Sequence, residues 1–169
     1  VIKTHSDYVR YPIYLGDEEE QINRQTAIWR QSPDQVEEEE YNVFYKPLTL
    51  EMEDPLTRVN FIADAPLRIF ALLYVPAKPE RSMYSLRKED GLKLYARKVL
   101  IEEYNNDLLP HYYRFMQGVV DSEDLPLNVS RESVQATAMI ARIKKILTNQ
   151  VTKELERLAD DEPETYATF

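Results

Sequence analysis

The chain has 169 residues, with 21 Lys and Arg against 30 Asp and Glu, a formal net charge of −9 at pH 7, and no cysteine. This length fits a single domain over residues 1–169, and the lack of cysteine excludes a disulfide framework and a thiolate metal site. The negative charge disfavours nucleic acid as a partner, and the longest apolar run, Ile69–Val75, is too short for a membrane span or a signal peptide. We therefore expect a soluble, cytoplasmic domain without membrane or nucleic-acid partners.

The first half of the chain predicts one helix and three strands. Asp7–Gly16 has the alternating pattern of a strand and ends at glycine, and Pro12 places this short strand at a sheet edge. Ser32–Gln35 has the residue types of a capping box with proline at the first helical position, which predicts a helix that Pro47 ends. Residues 58–63 alternate as a strand, and residues 67–75 are apolar on both faces, as in a central strand.

The middle of the chain predicts a loop, a strand and a second helix. Residues 76–91 contain prolines and serines and predict a loop, and residues 92–101 alternate as one strand. Residues 106–118 predict a helix that begins at an Asn or Asp cap and ends at glycine. Residues 78–98 carry seven bases and three acids, which fits either an exposed loop with a solvated strand face or an adaptable contact surface.

The last part predicts a polar loop over 121–128 and a long helix from Ser130 to about Asp160. The apolar stripe of this helix recurs every three or four residues and consists of Ile140, Ile143, Leu147, Val151, Leu155 and Leu158. Helices and strands are mixed, with long connections between strands. We therefore predict an α/β fold: a three-layer α-β-α sandwich around a mixed sheet that ends in a long C-terminal helix.

Most catalytic templates do not fit the sequence. Three glycines are too few for a P-loop or a Rossmann fingerprint. His5 and His111 stand alone, so we expect surface or structural roles for them and no metal site. No G-x-S-x-G elbow supports serine hydrolase chemistry.

One arrangement does indicate a function. Arg131 stands in the first turn of the long predicted helix, where the helix dipole makes a further cation unfavourable. A compensating partner is therefore expected. It is either Glu132 or a loop carboxylate such as Asp121, or an external anion such as a nucleotide phosphate. Gln135, four residues later, would share the helix face of Arg131 and donate to the same group.

The segment around Arg131 resembles a known family. The fifteen residues Gly118–Glu132, GVVDSEDLPLNVSRE, resemble the signature of the heat-shock protein 90 chaperone family of the bacterial HtpG type. Shorter similarities occur in the same order along the chain, at 11–15, 28–29, 40–41 with 44–46, 54–56, 73–76 and 94–99. The resemblance covers the larger, first part of that family's middle domain, and Val1 in place of methionine also suggests an excerpt of a longer protein.

The resemblance implies a mechanism that is divided between domains. ATP with Mg²⁺ would be bound mainly by an N-terminal domain outside these residues, so the chain alone is expected to hold no cofactor and to be inactive. Arg131, with Gln135 beside it, would contact the γ-phosphate when the N-terminal domain docks. The full-length protein would be a homodimeric ATPase that assists protein folding, whereas the chain, without the dimerisation domain, would be a monomer.

The resemblance also implies partners and client-binding residues. The partners would be the protein's own N-terminal ATPase domain, client proteins and co-chaperones. Trp29 matches a tryptophan associated with client handling, and Met83, Tyr84 and Leu86 stand in a loop where the family often carries phenylalanines. An alternative interpretation is a stand-alone protein-binding module in which Arg131 is purely structural.

Overall fold

A computed structural model of the chain describes residues 7–8, 11–14, 21, 26–77, 90–127 and 134–168, of which 134–136 and 168 are described by their backbone alone. The α-helices are α1 (Glu38–Thr49), α2 (Val134–Asp161) and α3 (Pro163–Thr168). The strands are β1 (Thr57–Ala63), β2 (Ile69–Val75), β3 (Leu92–Ala96), β4 (Val99–Asn105) and β5 (Gln117–Ser122). Short 3-10 turns occur at Ile28–Arg30, Pro33–Gln35 and His111–Tyr113.

The five strands form one mixed sheet in the order β1-β2-β5-β3-β4. Strand β5 pairs with β2 antiparallel and with β3 parallel, and the two outer pairs are antiparallel. Every residue of β2 is buried, as its continuous apolar sequence predicts. The predicted α/β class and the mixed sheet are therefore confirmed.

The two faces of β2 belong to two different cores. Ile69, Ala71 and Leu73 pack in a cluster with the buried stripe of α2, namely Ile143, Leu147 and Val151. Phe70, Leu72 and Tyr74 pack with Trp29, Tyr41 and Tyr45 on the other face. Helix α2 thus lies on one face of the sheet, while α1 and the Ile28–Arg30 turn lie on the other.

The stripe predicted for the long helix is confirmed. Ile143, Leu147 and Val151 are fully buried, and the helix continues to Asp161. Its predicted first residues, 130–133, lie outside the described part of the chain. The short helix α3, which the sequence did not predict, follows α2. None of the helices in the described ranges combines the length and apolar character that crossing a membrane requires.

The strand predicted over residues 7–16 is wrong for the residues that the structure describes there. Residues 7–8 form a turn, and residues 11–14 have no strand pairing. The Tyr8 ring instead packs edge-on against Trp29, with centroids 4.6 Å apart. Tyr8 thus covers part of the aromatic face of the sheet, and the described residues of this segment do not extend the sheet edge.

The first predicted helix is displaced along the chain. Residues 33–35 form only a 3-10 turn, and Ser32 makes no capping bond. Helix α1 begins later, with a capping box between Glu37 and Glu40. Pro47 lies inside the last turn and does not end the helix, because only one bond of the ladder is lost there. The chain leaves the helix at Leu50, whose φ is 62°.

The prediction of one strand over residues 92–101 is wrong. These residues belong to a tight hairpin of two strands. Strands β3 and β4 are joined by Arg97 and Lys98, whose φ values are 51° and 68°. A two-residue hairpin turn of this kind needs left-handed backbone at both positions and usually carries Asn or Gly. The sequence lacks that signal, so the turn was not predicted.

The helix predicted over 106–118 is also wrong. Only His111–Tyr113 form a helical turn, and residues 117–122 form the central strand β5, all of it buried. Gly118 has a φ of 152°, and a Cβ built there would lie 2.3 Å from the Leu72 carbonyl oxygen. Glycine thus permits close pairing with β2 and does not stop a helix.

Candidate functional site

The end of β5 carries a buried carboxylate that accepts hydrogen bonds from three donors within the described part of the chain. The Asp121 side chain is 0% exposed. It accepts hydrogen bonds from Trp29 Nε1 at 3.0 Å, from Arg30 Nε at 2.6 Å and from the Lys98 backbone N–H at 3.3 Å. Two of these donors come from the Ile28–Arg30 turn and the third from the β3–β4 hairpin, so Asp121 joins separate parts of the fold.

Arg30 connects this buried carboxylate to the next acid along the chain. Its Nη1 donates to Glu123 Oε1 at 2.8 Å, and its guanidinium lies 4.4 Å from the centroid of the Phe70 ring. Burial by itself lowers the pKa of Arg30, but hydrogen bonds and charge attraction from Asp121 and then Glu123 outweigh it and raise that pKa above its ordinary value. Arg30 therefore remains charged, and its buried Nη2 has no hydrogen-bond partner among the residues that the structure describes.

Arg68, just before β2, binds the last residue of β5 and the two residues that follow it. Its backbone N–H donates to Asp124 Oδ2 at 2.7 Å, and its carbonyl accepts from Ser122 Oγ at 3.0 Å. Its Nη1 donates to Glu123 Oε2 at 3.2 Å. On the other side, Arg97 Nε donates to the Glu123 carbonyl at 3.1 Å. The backbone from Ser122 to Asp124 is thus fixed from both neighbouring strands.

Trp29 is the centre of the aromatic face above this carboxylate. Its side chain is 0% exposed, and its ring contacts Tyr8, Tyr95 and Phe44 at centroid distances of 4.6, 5.0 and 5.7 Å. A direct contact between this ring and a client would require these neighbours to move. The client role of Trp29 stays a prediction.

The comparisons with known proteins agree with the sequence signature at this strand end. A family model described as Hsp90 protein matches residues 16–169, which is most of the chain. The chain belongs to the Hsp90 family. The resemblance first drawn from residues 118–132 is therefore confirmed.

Several relatives of this Hsp90-family chain carry the name chaperone protein HtpG. The protein from Desulfitobacterium hafniense is 43% identical over 169 residues, covering 100% of this chain and 27% of its own length. The proteins from Nitratidesulfovibrio vulgaris and Chlorobaculum tepidum are 41% and 42% identical, again over 100% of this chain and 26% and 27% of their lengths. The chain thus spans about a quarter of the length of these relatives.

The residues predicted for phosphate contact are only partly within the described structure of this Hsp90-family chain. Arg131 lies outside the described residues. Gln135 is the second described residue of α2, and its side chain is not described. Of the two carboxylates considered as partners of Arg131, Glu132 is outside the described residues, and Asp121 binds Trp29 and Arg30. The predicted client residues Met83, Tyr84 and Leu86 also lie outside the described residues.

The remaining candidates are surface or undescribed positions. His111 is exposed, with its Nε2 3.2 Å from Arg114 Nη1, and His5 lies outside the described residues. Among the side chains that the structure describes, no three His, Asp or Glu groups come together as a metal ion requires. Sequence reasoning missed Arg30 and Glu123, because nothing in the local pattern joins residues that are more than ninety positions apart.

Proposed function

We propose that this chain is part of the middle domain of an ATP-dependent chaperone that assists protein folding. The observation that carries the proposal is the family match over 16–169, which includes the segment 118–132 with Arg131. The relatives named chaperone protein HtpG support the chaperone function. Because the chain spans about a quarter of their length, it would act as one domain of a larger protein.

In this proposal Arg131 contacts the γ-phosphate of an ATP that another domain holds. ATP with Mg²⁺ supplies the phosphoryl group, and the nucleotide is bound mainly by the N-terminal ATPase domain. The Arg131 guanidinium donates paired hydrogen bonds to phosphate oxygens and neutralises the charge that develops there. The Gln135 amide donates to the same group. The donor chemistry of both side chains fits a phosphate.

The packing on both sides of Arg131 supports this role. Upstream, residues 121–124 are fixed by bonds from Arg30, Arg68 and Arg97. Downstream, α2 is anchored to the sheet through the fully buried Ile143, Leu147 and Val151. The segment that carries Arg131 therefore connects two firmly packed elements, which suits a residue that must meet a ligand delivered by another domain.

The partners in this proposal are the protein's own N-terminal ATPase domain, client proteins and co-chaperones, within a cytoplasmic homodimer. Clients would contact Met83, Tyr84 and Leu86, with Trp29 taking part after its aromatic neighbours separate. A sequence that combines Met, Tyr and Leu with bases suits partners of varied sequence.

The experiment that tests the phosphate contact uses the full-length protein. Arg131→Ala is expected to lower ATP turnover at least about tenfold, because a charge-neutralising donor is lost, while ATP binding by the N-terminal domain is retained. Arg142→Ala removes an exposed arginine from the same helix and is the matched control, with turnover expected to be unchanged. Unchanged turnover in Arg131→Ala would contradict the proposal and favour a purely structural arginine.

A second experiment tests the client contacts. The full-length triple variant Met83→Ser, Tyr84→Ser, Leu86→Ser is expected to suppress aggregation of an unfolded protein less well than the wild type, with ATP turnover unchanged. Tyr112→Ser, which removes an aromatic ring that is 67% exposed elsewhere, is the control. Equal suppression by the triple variant and the control would contradict these contacts.

A further inference from the structure

We propose that a groove beside the His111–Tyr113 turn binds an acidic segment of a partner protein, together with an apolar side chain of that segment. The groove has a volume of about 560 Å³ and lies between the start of β3, the end of β4, the turn and helix α2. This volume falls within the range of about 300–1,000 Å³ that is usual for binding sites. The inference goes beyond the proposed function, because it involves neither ATP nor Arg131.

The apolar lining of the groove belongs to the core between the sheet and α2. Leu92, Leu109 and Met116 line the groove and are 2%, 7% and 1% exposed. Tyr113 forms a further part of the lining, and its hydroxyl lies 2.8 Å from Thr152 Oγ1 on α2. These side chains are fixed by packing within the fold, so an apolar side chain of a partner would meet a preformed surface.

The charged side chains of the groove are mainly basic. Lys144 on α2 is half-buried, whereas Arg114 and His111 are exposed at the entrance. Arg114 Nη1 lies 3.2 Å from His111 Nε2, so these two basic side chains contact each other. Among the described residues that line the groove, Asp90 is the one acid. The groove is therefore positive even with a neutral histidine, in a chain whose net charge is −9.

Lys144 is the cation that most needs a partner from outside. Its backbone carbonyl accepts from Thr148 Oγ1 at 2.7 Å, but within the described part of the chain its ammonium has no acidic partner. Lys93, which is also partly buried, pairs with Glu103 at 3.1 Å. Helix α2 offers no such acid, since residues 134–153 include four bases and neither Asp nor Glu. A half-buried ammonium without a counter-charge gains binding energy from an incoming carboxylate.

The charges and the apolar lining together select an acidic peptide as the occupant. One carboxylate of the peptide would bind Lys144, and a second would accept paired hydrogen bonds from the Arg114 guanidinium. A neighbouring Leu, Phe or Trp side chain would cover the apolar lining and remove its surface from water. Nucleic acid does not fit, because the net charge of −9 repels its phosphates. The occupant that matches both features is a protein segment in which Asp or Glu stands next to an apolar residue.

The test uses the full-length protein and a library of random peptides displayed on phage. The library is first depleted on the Lys144→Glu variant, which repels acids from the groove, and is then selected on the wild type. The peptides that remain are expected to combine Asp or Glu with a neighbouring Leu, Phe or Trp. A selection that enriches no peptide, or only peptides without acids, would overturn the proposal.

The most enriched peptide is then labelled, and its dissociation constant is measured by fluorescence anisotropy. Lys144→Gln is expected to weaken binding roughly ten- to a hundredfold, because a hydrogen bond to a charged group is lost. Arg114→Gln is expected to weaken it about two- to fivefold, since this cation is exposed. A peptide with Asn and Gln in place of its acids, or with serine in place of its apolar residue, should bind at least about tenfold less tightly.

Lys145→Gln is the matched control. Lys145 is the next residue of α2, is exposed and is not one of the residues that line the groove, so its loss should leave the dissociation constant unchanged. A thermal melt of each variant shows that it is folded, and if Lys144→Glu melts early, Lys144→Gln replaces it in the depletion. Weakening by Lys144→Gln alone supports the groove, whereas equal weakening by both lysine variants would show a diffuse attraction and overturn the proposal.

Discussion

Trp29→Phe tests how much the packing of the aromatic face and its hydrogen bond to the buried Asp121 stabilise the fold. The change keeps an aromatic ring among Tyr8, Phe44 and Tyr95 but removes the indole N–H that binds Asp121 at 3.0 Å. The acceptor is 0% exposed, so water does not replace the lost donor without a rearrangement.

The expected magnitude follows from two losses. A hydrogen bond to a charged group contributes about 1.5–3 kcal/mol. Phenylalanine buries about 50 Å² less than tryptophan, which at roughly 25 cal/mol per Å² adds about 1 kcal/mol. We therefore expect Trp29→Phe to lower the free energy of unfolding by about 3 kcal/mol, which most domains of this size survive at 25 °C.

The assay is urea unfolding followed by far-ultraviolet circular dichroism, since the variant lacks the single tryptophan of the chain. With a slope of about 2 kcal/mol per molar urea, the midpoint should fall by about 1.5 M. Tyr112→Phe, at an exposed ring, is the control and should change stability by less than about 0.5 kcal/mol. A midpoint shift for Trp29→Phe no larger than that of the control would show that the indole N–H bond to Asp121 does not stabilise the fold.

Three further predictions concern the core and the tyrosines. Gly118→Ala should destabilise the chain by more than about 3 kcal/mol or prevent folding, because the new methyl group meets the backbone of β2. Soluble yield and a thermal melt measure the loss of stability, and a wild-type melting temperature would contradict the prediction. Leu147→Ala should lower the free energy of unfolding in urea by about 2–5 kcal/mol, whereas Arg142→Ala on the exposed face of α2 should lower it by less than about 0.5 kcal/mol. Equal effects would contradict the assignment of Leu147 to the buried face of α2 and of Arg142 to its exposed face. Burial raises the pKa of Tyr74 and Tyr95 above the ordinary 10.0. As the pH rises above 10, the unfolded chain therefore loses these protons before the folded chain does. The free energy of unfolding should then fall by at most about 1.4 kcal/mol per pH unit for each tyrosine. In urea unfolding from pH 8 to 11, the double variant Tyr74→Phe, Tyr95→Phe should lose less stability with rising pH than the wild type. An equally large loss would contradict the assignment of this pH dependence to the two tyrosines.

The sequence correctly predicted the elements that have either a long helical periodicity or a continuous run of apolar residues. The stripe of α2 and the apolar run of β2 are both confirmed, since burial on one helix face or on both strand faces leaves a direct trace in residue order. Gly118 was misread as a helix stop, because the same residue type serves where a strand passes close to a neighbouring backbone. Arg97 and Lys98 gave no turn signal, although both adopt left-handed backbone.

The candidate site could be predicted only where its residues are neighbours in the chain. The run from Gly118 to Glu132 was found because fifteen consecutive residues match a family signature. The cluster of Arg30, Asp121 and Glu123 was not found, since its members come from a turn and a strand far apart in sequence. Tertiary packing brings them together, and no local pattern records that pairing.

The contact proposed between Arg131 and the γ-phosphate is tested most directly by the single-turnover rate of ATP hydrolysis in the full-length protein carrying Arg131→Ala. A single turnover separates the chemical step from product release, and binding of the nucleotide can be measured on the same samples. We expect a rate at least about tenfold below that of the wild type, with ATP bound equally tightly. A wild-type rate in this variant would contradict it.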